Sequence, residues 1–162
     1  MLPMDTQLKN QIAATRLVIE GMRIPLVHAL TGLSCKQLSY VWKSAKGDEA
    51  TLPGRGATGV ISFLKRSPNK NLHISLSTIA EIYFSLEKSH PRLTHAEVFL
   101  LAWQSRSFFL EADEEIDINV VWYAIRDIKT TELHLSRCAR CHSSFLYDLK
   151  IEEISHCPFC KK

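Results

Sequence analysis

The sequence has no long apolar run. Nothing in its 162 residues approaches the roughly 18 consecutive apolar residues that read as a membrane span, so no membrane partner is expected. The N-terminal stretch MLPMDTQLKNQIAATRLVIEG lacks a basic segment followed by an apolar one. It is therefore not read as a secretory signal, and the expected compartment is the cytoplasm. No internal repeat and no low-complexity segment occurs. The usual marks of an enzyme are missing too. The seven histidines are scattered, no zinc-hydrolase motif is present, and no pair of carboxylates stands in a recognisable catalytic frame. The acidic run EADEEID, residues 111–117, reads as a solvated helix end or loop. Gly54 and Gly56 flank Arg55, but no G-K-[ST] follows, which excludes a nucleotide-binding loop of that type. The expectation is a protein that is not an enzyme and takes no small-molecule substrate.

What is present is an ordinary globular composition, with 46% apolar and 23% charged residues. The net charge of +3 is unevenly placed. Residues 1–70 hold ten Lys/Arg against four Asp/Glu, and residues 71–162 hold ten against thirteen. A basic half beside an acidic half points to a polyanion partner at one end.

Helical spacing dominates. A first helix is expected from about Thr6 to Glu20, with Ile12, Leu17 and Ile19 among its apolar positions. A second starts near Pro25, a residue suited to a first helical turn, and runs to Leu30. In TGLSCKQLSYVWKSAKG, Gly32 makes a tight turn and Ser34 is an N-cap. Gln37 completes the capping box, and Leu33 and Leu38 form a hydrophobic staple. Cys35, Leu38, Val41, Trp42 and Ala45 make one stripe. Cys35 is expected there as a small hydrophobe. The stretch from Lys46 to Asn71 holds two loops, GDEATLPGRGATG and KRSPNKN. The piece Val60 to Leu64 between them is open to either strand or helix. A helix over about Ser75 to Leu86 follows, with Ile82 or Tyr83 turned inward. Another starts at Thr94, with a Thr94/Glu97 capping box and a Leu93/Val98 staple. It carries Phe99, Leu100, Trp103, Phe108 and Leu110 as a central core helix. The last helix is expected over Ile116 to Ile128. The expected fold is mostly α, a helical bundle with a helix-turn-helix-like segment and a small C-terminal four-cysteine zinc module. Residues 1–132 are the expected DNA-binding and oligomerisation domain, and 133–162 the zinc-binding module.

Cys138, Cys141, Cys157 and Cys160 are spaced C-x2-C-x15-C-x2-C, a four-cysteine zinc pattern. Two such turns, brought together by a short hairpin or turn between them, place four thiolates about 2.3 Å from one tetrahedral ion. Cys138-Ala-Arg-Cys141-His142 also spells a c-type haem attachment motif, but that chemistry needs export and leaves Cys157 and Cys160 unused. Cys157-Pro-Phe-Cys160 resembles a glutaredoxin-type site, which needs a following helix to lower the thiol pKa, and only two residues follow it here. Structural disulfides do not suit a cytoplasmic protein. An iron–sulfur cluster is the remaining alternative to zinc. Arg137, Arg140, Lys161 and Lys162 would offset the negative charge of four thiolates on Zn2+. His142 and His156 adjoin ligand cysteines; either could replace one as a ligand, and the favoured reading is a neighbour donating a hydrogen bond. With every ligand position filled by protein, the metal is expected to be structural.

RIPLVHALTGLSCKQLSYVWK has the layout of a helix-turn-helix. Lys36, Gln37 and Tyr40 stand near the start of its second helix, with Lys43 one turn on, where side chains reach base edges and phosphates of double-stranded DNA. Arg55, Lys65, Arg66 and Lys70 in the following loops suit the phosphate backbone.

With these parts in order, the chain resembles the FlhC family, the C subunit of the flagellar master transcriptional activator. The resemblance runs through ATRLVIEGMRIPLVHALTGLSCKQLSYVWK, LPGRGATGVISFL, LLAWQSRSFFL and the CARC…CPFC tail. It implies a mostly helical protein with zinc on Cys138, Cys141, Cys157 and Cys160. It also implies a hetero-oligomer with a small helical D-type subunit, binding to promoter DNA, and recruitment of RNA polymerase to flagellar operons. Relatives of the pair activate transfer genes of conjugative elements. The other alternative is a zinc-containing interaction adaptor without DNA contact.

Overall fold

The computed structural model describes residues 4–49, 51–52, 59–66, 70–111, 115–151 and 155–160. Among them the helices are α1 (Met4–Ile19), α2 (Ile24–Thr31), α3 (Cys35–Lys46), α4 (Ile61–Arg66), α5 (Lys70–Ser89), α6 (His95–Gln104) and α7 (Ile118–Lys129). A 3-10 turn over Ser105–Phe108 follows α6, and a two-stranded sheet of β1 (His134–Arg137) and β2 (Ser144–Tyr147) closes the fold. The strands are antiparallel, with Leu135 opposite Leu146 and Arg137 opposite Ser144.

The helices form because their apolar residues recur at helical spacing and their ends are capped. Ser34 Oγ accepts from the Gln37 amide, and the Gln37 side chain accepts from the Ser34 amide. Thr94 and Glu97 do the same at the start of α6. Both boxes satisfy amides that a helix start leaves unpaired. Gly32 ends α2 in the left-handed conformation at φ 72°, which a residue with a Cβ adopts only at a cost. Asp117 caps α7 by accepting from the Asn119 amide.

One core runs through the molecule. Ala13, Ala14, Leu17 and Val18 of α1 meet Val27, Leu38, Ile79, Tyr83, Phe99, Val121 and Ala124 in it. α1 packs on α2, α3 and α6, while the 20-residue α5 packs on α6, α7 and the sheet. Polar ties fix the crossings. The Asn10 amide donates to the Thr31 carbonyl at 3.0 Å. The Arg23 amide donates to Asn119 Oδ1 at 2.9 Å, joining the α1–α2 corner to α7. Glu20 accepts from Trp103 Nε1 and Arg106, both at 2.9 Å, with the guanidinium 3.8 Å over the indole. Lys129 bridges Tyr83 Oη at 2.9 Å and Glu87 at 2.6 Å.

The open segment Val60 to Leu64 is helical from Ile61 onward, as α4, with Val60 and Leu64 buried. Tyr83 is the inward residue of α5, and Ile82 is half-buried. Several expectations are corrected. The core helix from Thr94 does not reach Phe108 and Leu110. It stops at Gln104, because the hydroxyls of Ser105 and Ser107 and the Arg106 guanidinium donate to the Ala102, Gln104 and Trp103 carbonyls and the turn tightens to 3-10. Phe108 is left 88% exposed. Lys70 and Asn71 are not loop but the first turn of α5. On α1 only Leu17 of the three named apolar residues is buried. Ile12 and Ile19 point away from the core, since neither is three or four residues from Leu17. On α3 the buried stripe is Leu38 and Trp42 alone; Ala45 and Cys35 are exposed. Cys35 is the first helical residue, a full turn before the level at which α3 meets the core.

Candidate functional site

The four C-terminal cysteines converge. β1 ends at Arg137, and residues 138–143 make the turn of the hairpin, so the first Cys-x-x-Cys is the hairpin's tip. The turn is shaped by backbone bonds: the Cys138 amide to the Ser143 carbonyl at 3.0 Å, and the His142 amide to the Cys138 carbonyl at 2.9 Å. His142 takes a left-handed φ of 60°, and its carbonyl accepts from Arg137 Nε at 2.8 Å. The Arg140 amide points at Cys138 Sγ, 3.4 Å away. Cys157 and Cys160, in the described stretch 155–160, lie against this tip.

Cys138 Sγ lies 3.7 Å from Cys160 Sγ, and Cys141 Sγ lies 3.8 Å from Cys157 Sγ. All four sulfurs fall within 4.8 Å of one another. A tetrahedron with metal–sulfur bonds of 2.3 Å has sulfur–sulfur edges of about 3.8 Å, so the cage fits one ion. The same separations are far from the roughly 2.05 Å of a disulfide, and the thiols are free. The four cysteines are thus placed to hold a metal ion with every corner occupied by protein. Such a site binds and holds; it offers no open position for a reacting water.

The thiols differ in proton affinity. The amides of Cys141 and Arg140 hold the Cys138 thiol below its ordinary value. The Ser143 amide brings Cys141 down to about 6. Burial pushes Cys157 up, and the hydrogen bond shared with Cys141 pushes Cys160 up to about 12. The hairpin tip, lined by backbone N–H groups, is where negative sulfur is favoured. His142 and His156 stay outside the group of ligand atoms, and His156 Nδ1 sits 2.7 Å from Ser155 Oγ. Arg137 and Arg140 flank the tip; Lys161 and Lys162 lie outside the described residues.

The short hairpin expected between the two Cys-x-x-Cys pairs lies instead around the first pair, β1 before Cys138 and β2 after Cys141, because residues 134–137 pair with 144–147; the platform below it was not foreseen. Leu133 and Leu146 are buried in the common core, β2 packs along α5, and Ser144 Oγ donates to Glu81 of α5. The alternation of Leu133, Leu135 and of Phe145, Tyr147 was the available signal, but four-residue strands are too short to stand out.

The second candidate surface is α3. Lys36, Tyr40 and Lys43 are exposed and follow i, i+4, i+7, so they form one outward row opposite Leu38 and Trp42. Gln37 is also exposed, but its Oε1 is spent on Ser34 in the capping box at 3.0 and 2.8 Å, which leaves only its NH2 for a ligand. Lys65 lies near the end of α4 and Lys70 opens α5, both exposed. Arg55 and the side chain of Arg66 lie outside the described residues. Beside the row, α1 and α3 enclose a groove of about 520 Å³, lined by Gln11 and Thr15 on one side and Leu33, Lys36, Gln37 and Val41 on the other.

Fold and site together define a mostly helical protein with a C-terminal hairpin and a cluster of four cysteines at its tip placed to bind metal. Comparison with protein-family models and with curated proteins found no match. No described helix is long and apolar enough to cross a membrane.

Proposed function

We propose that the chain is a DNA-binding transcriptional activator subunit that works with a small helical D-type partner, and that its four cysteines hold one structural Zn2+. The observation that carries this reading is the outward row Lys36, Tyr40 and Lys43 on α3, a helix set by a capped glycine turn after α2. A lysine, a tyrosine and a lysine on one exposed helix face suit phosphates and a major-groove edge. The excess of cations in residues 1–70 and the ordered resemblance to the FlhC family point the same way. The complex would recruit RNA polymerase to flagellar operons, or to conjugative-transfer genes as relatives of that family do. Zinc is favoured because four thiolates in a closed tetrahedron are its usual structural setting.

The test is a binding titration of the zinc-loaded chain, co-expressed with its partner, on double-stranded promoter DNA over a range of salt. Lys36→Ala with Lys43→Ala is expected to weaken binding about tenfold or more at moderate salt, with the salt slope lower by about 2. Unchanged affinity and slope would remove α3 as the DNA face. A second reading, an interaction adaptor, draws on the apolar lining of the α1–α3 groove; it requires no salt-dependent DNA binding at all.

A further inference from the structure

α1 buries one side only. Ala13, Ala14, Leu17 and Val18 face the core, while Met4 is 88% exposed, Leu8 57%, Ile12 55% and Ile19 45%. Four of the nine large apolar side chains exposed among the described residues are therefore on this single helix. At 3.6 residues per turn the four fall, with Thr15, within an arc of about 80°, opposite the buried face. A row of this kind along a whole helix marks a contact surface rather than scattered surface apolarity.

The edges of the row say what kind of partner fits. The edge toward α3 carries the neutral Gln11. The other edge carries Asp5 and Arg16, about 20° apart around the axis and about 16 Å apart along it. Arg16 makes no ion pair among the described residues, and Asp5 pairs only with Lys9, in the same helix, at 2.8 Å. The remaining charge at this end, Glu20, is turned to Arg106 at 2.9 Å.

We propose that this face binds a second copy of the chain, α1 against α1, antiparallel across a two-fold axis. That axis lies at right angles to both helices and brings the charged edge of one copy beside the charged edge of the other, with ends reversed. Asp5 of each copy then faces Arg16 of the other, and the isologous contact closes on itself. Met4 packs at the level of Thr15 and Ile19, and Leu8 and Ile12 meet at the centre. A parallel pairing instead sets both charges against the neutral glutamine edge and gains no ion pair. Flanking charges that choose between these orientations are the usual device in paired helices. The contact is a single helix face about 24 Å long, so the dimer is a weak one, forming with concentration. It is independent of whether α3 reads DNA.

Sedimentation velocity of the metal-loaded full chain across roughly 1–100 µM tests the proposal. A monomer–dimer transition is expected. Ile12→Glu should move its midpoint about tenfold or more upward while the helical circular dichroism stays unchanged. Asp5→Arg and Arg16→Asp should each weaken dimerisation alone, and mixing the two variants should restore it, because every introduced charge then meets its opposite. A chain that stays monomeric throughout overturns the proposal. So does a dimer indifferent to Ile12→Glu, or a mixture that associates no better than its parts.

Discussion

The helical part and the C-terminal hairpin differ in how much of each is buried. In the helices, large side chains such as Leu17, Leu38, Ile79, Tyr83 and Phe99 are almost wholly removed from water, and each contributes by burial. The hairpin has two strands of four residues, β1 with no buried residue and β2 with one, Leu146. A lone two-stranded hairpin is marginal in water. Its apolar anchors, Leu133 and Leu146, join the helical core, but its tip is polar and carries Cys138 and Cys141, two of the four converging sulfurs. A metal ion held by the four thiolates would supply there what burial cannot, at a few residues rather than over an area. The two regions should therefore fail separately and for different reasons.

Removing the metal, by chelation or by Cys160→Ser, is the largest perturbation. Structural zinc in small modules is worth about 10–16 kcal/mol of binding free energy. Hydrogen exchange should show residues 134–147 losing protection, while α5 and α6 keep theirs and helical circular dichroism falls little. Loss of the whole helical signal would erase the distinction. The reciprocal change is Phe99→Ala, expected to cost about 3–5 kcal/mol in chemical denaturation with the metal content of the folded protein unaltered. A hairpin that loses metal when Phe99 is cut back would mean that the core, not the cage, sets its order.

The smallest effect sharpens the boundary on the helical side. Burial pushes the Glu87 carboxyl up, but the hydrogen bond and charge of Lys129 and the Tyr83 hydroxyl pull it further down, so it ends below its ordinary 4.5. Lys129 is opposed by burial in turn, and its bonds to Glu87 and Tyr83 carry it above 10.5. The Glu87 contribution is therefore present above pH 4.5 and lost as pH falls through the lower folded value. The Lys129 contribution is present below 10.5 and lost as pH rises through the higher one. Both side chains are about one-third exposed, so Glu87→Gln should cost on the order of 1 kcal/mol at neutral pH. The variant should show a flatter stability profile below pH 4.5 than the parent, by denaturation at stepped pH. Equal profiles would mean that the pair contributes nothing measurable.

Features that depend on near neighbours in sequence were legible. The Ser34/Gln37 and Thr94/Glu97 boxes sit where their spacing placed them. The four cysteines come together as C-x2-C-x15-C-x2-C requires. Features set by partners far away in sequence were not. Ile12, Ile19 and Cys35 are apolar, yet no described element packs on their side of the helix. Phe108 is aromatic, but the serines around it end the helix before its turn. The amides that favour thiolate at Cys138 and Cys141 belong to a turn whose shape depends on β1 pairing with β2.

The sequence alone thus determined the local grammar, meaning the capped helix starts after Ser34 and Thr94, the glycine stop at residue 32 and the two Cys-x-x-Cys turns, because each rests on hydrogen bonds or bond lengths spanning a few residues. Only the tertiary structure decided which apolar faces are covered. It seated the hairpin on α5 through Glu81 and Leu146, tied up the Gln37 oxygen, and left the outer row of α1 bare. Burial is a property of the neighbours a residue meets, and those neighbours lie up to about a hundred positions away, as Arg23 and Asn119 do.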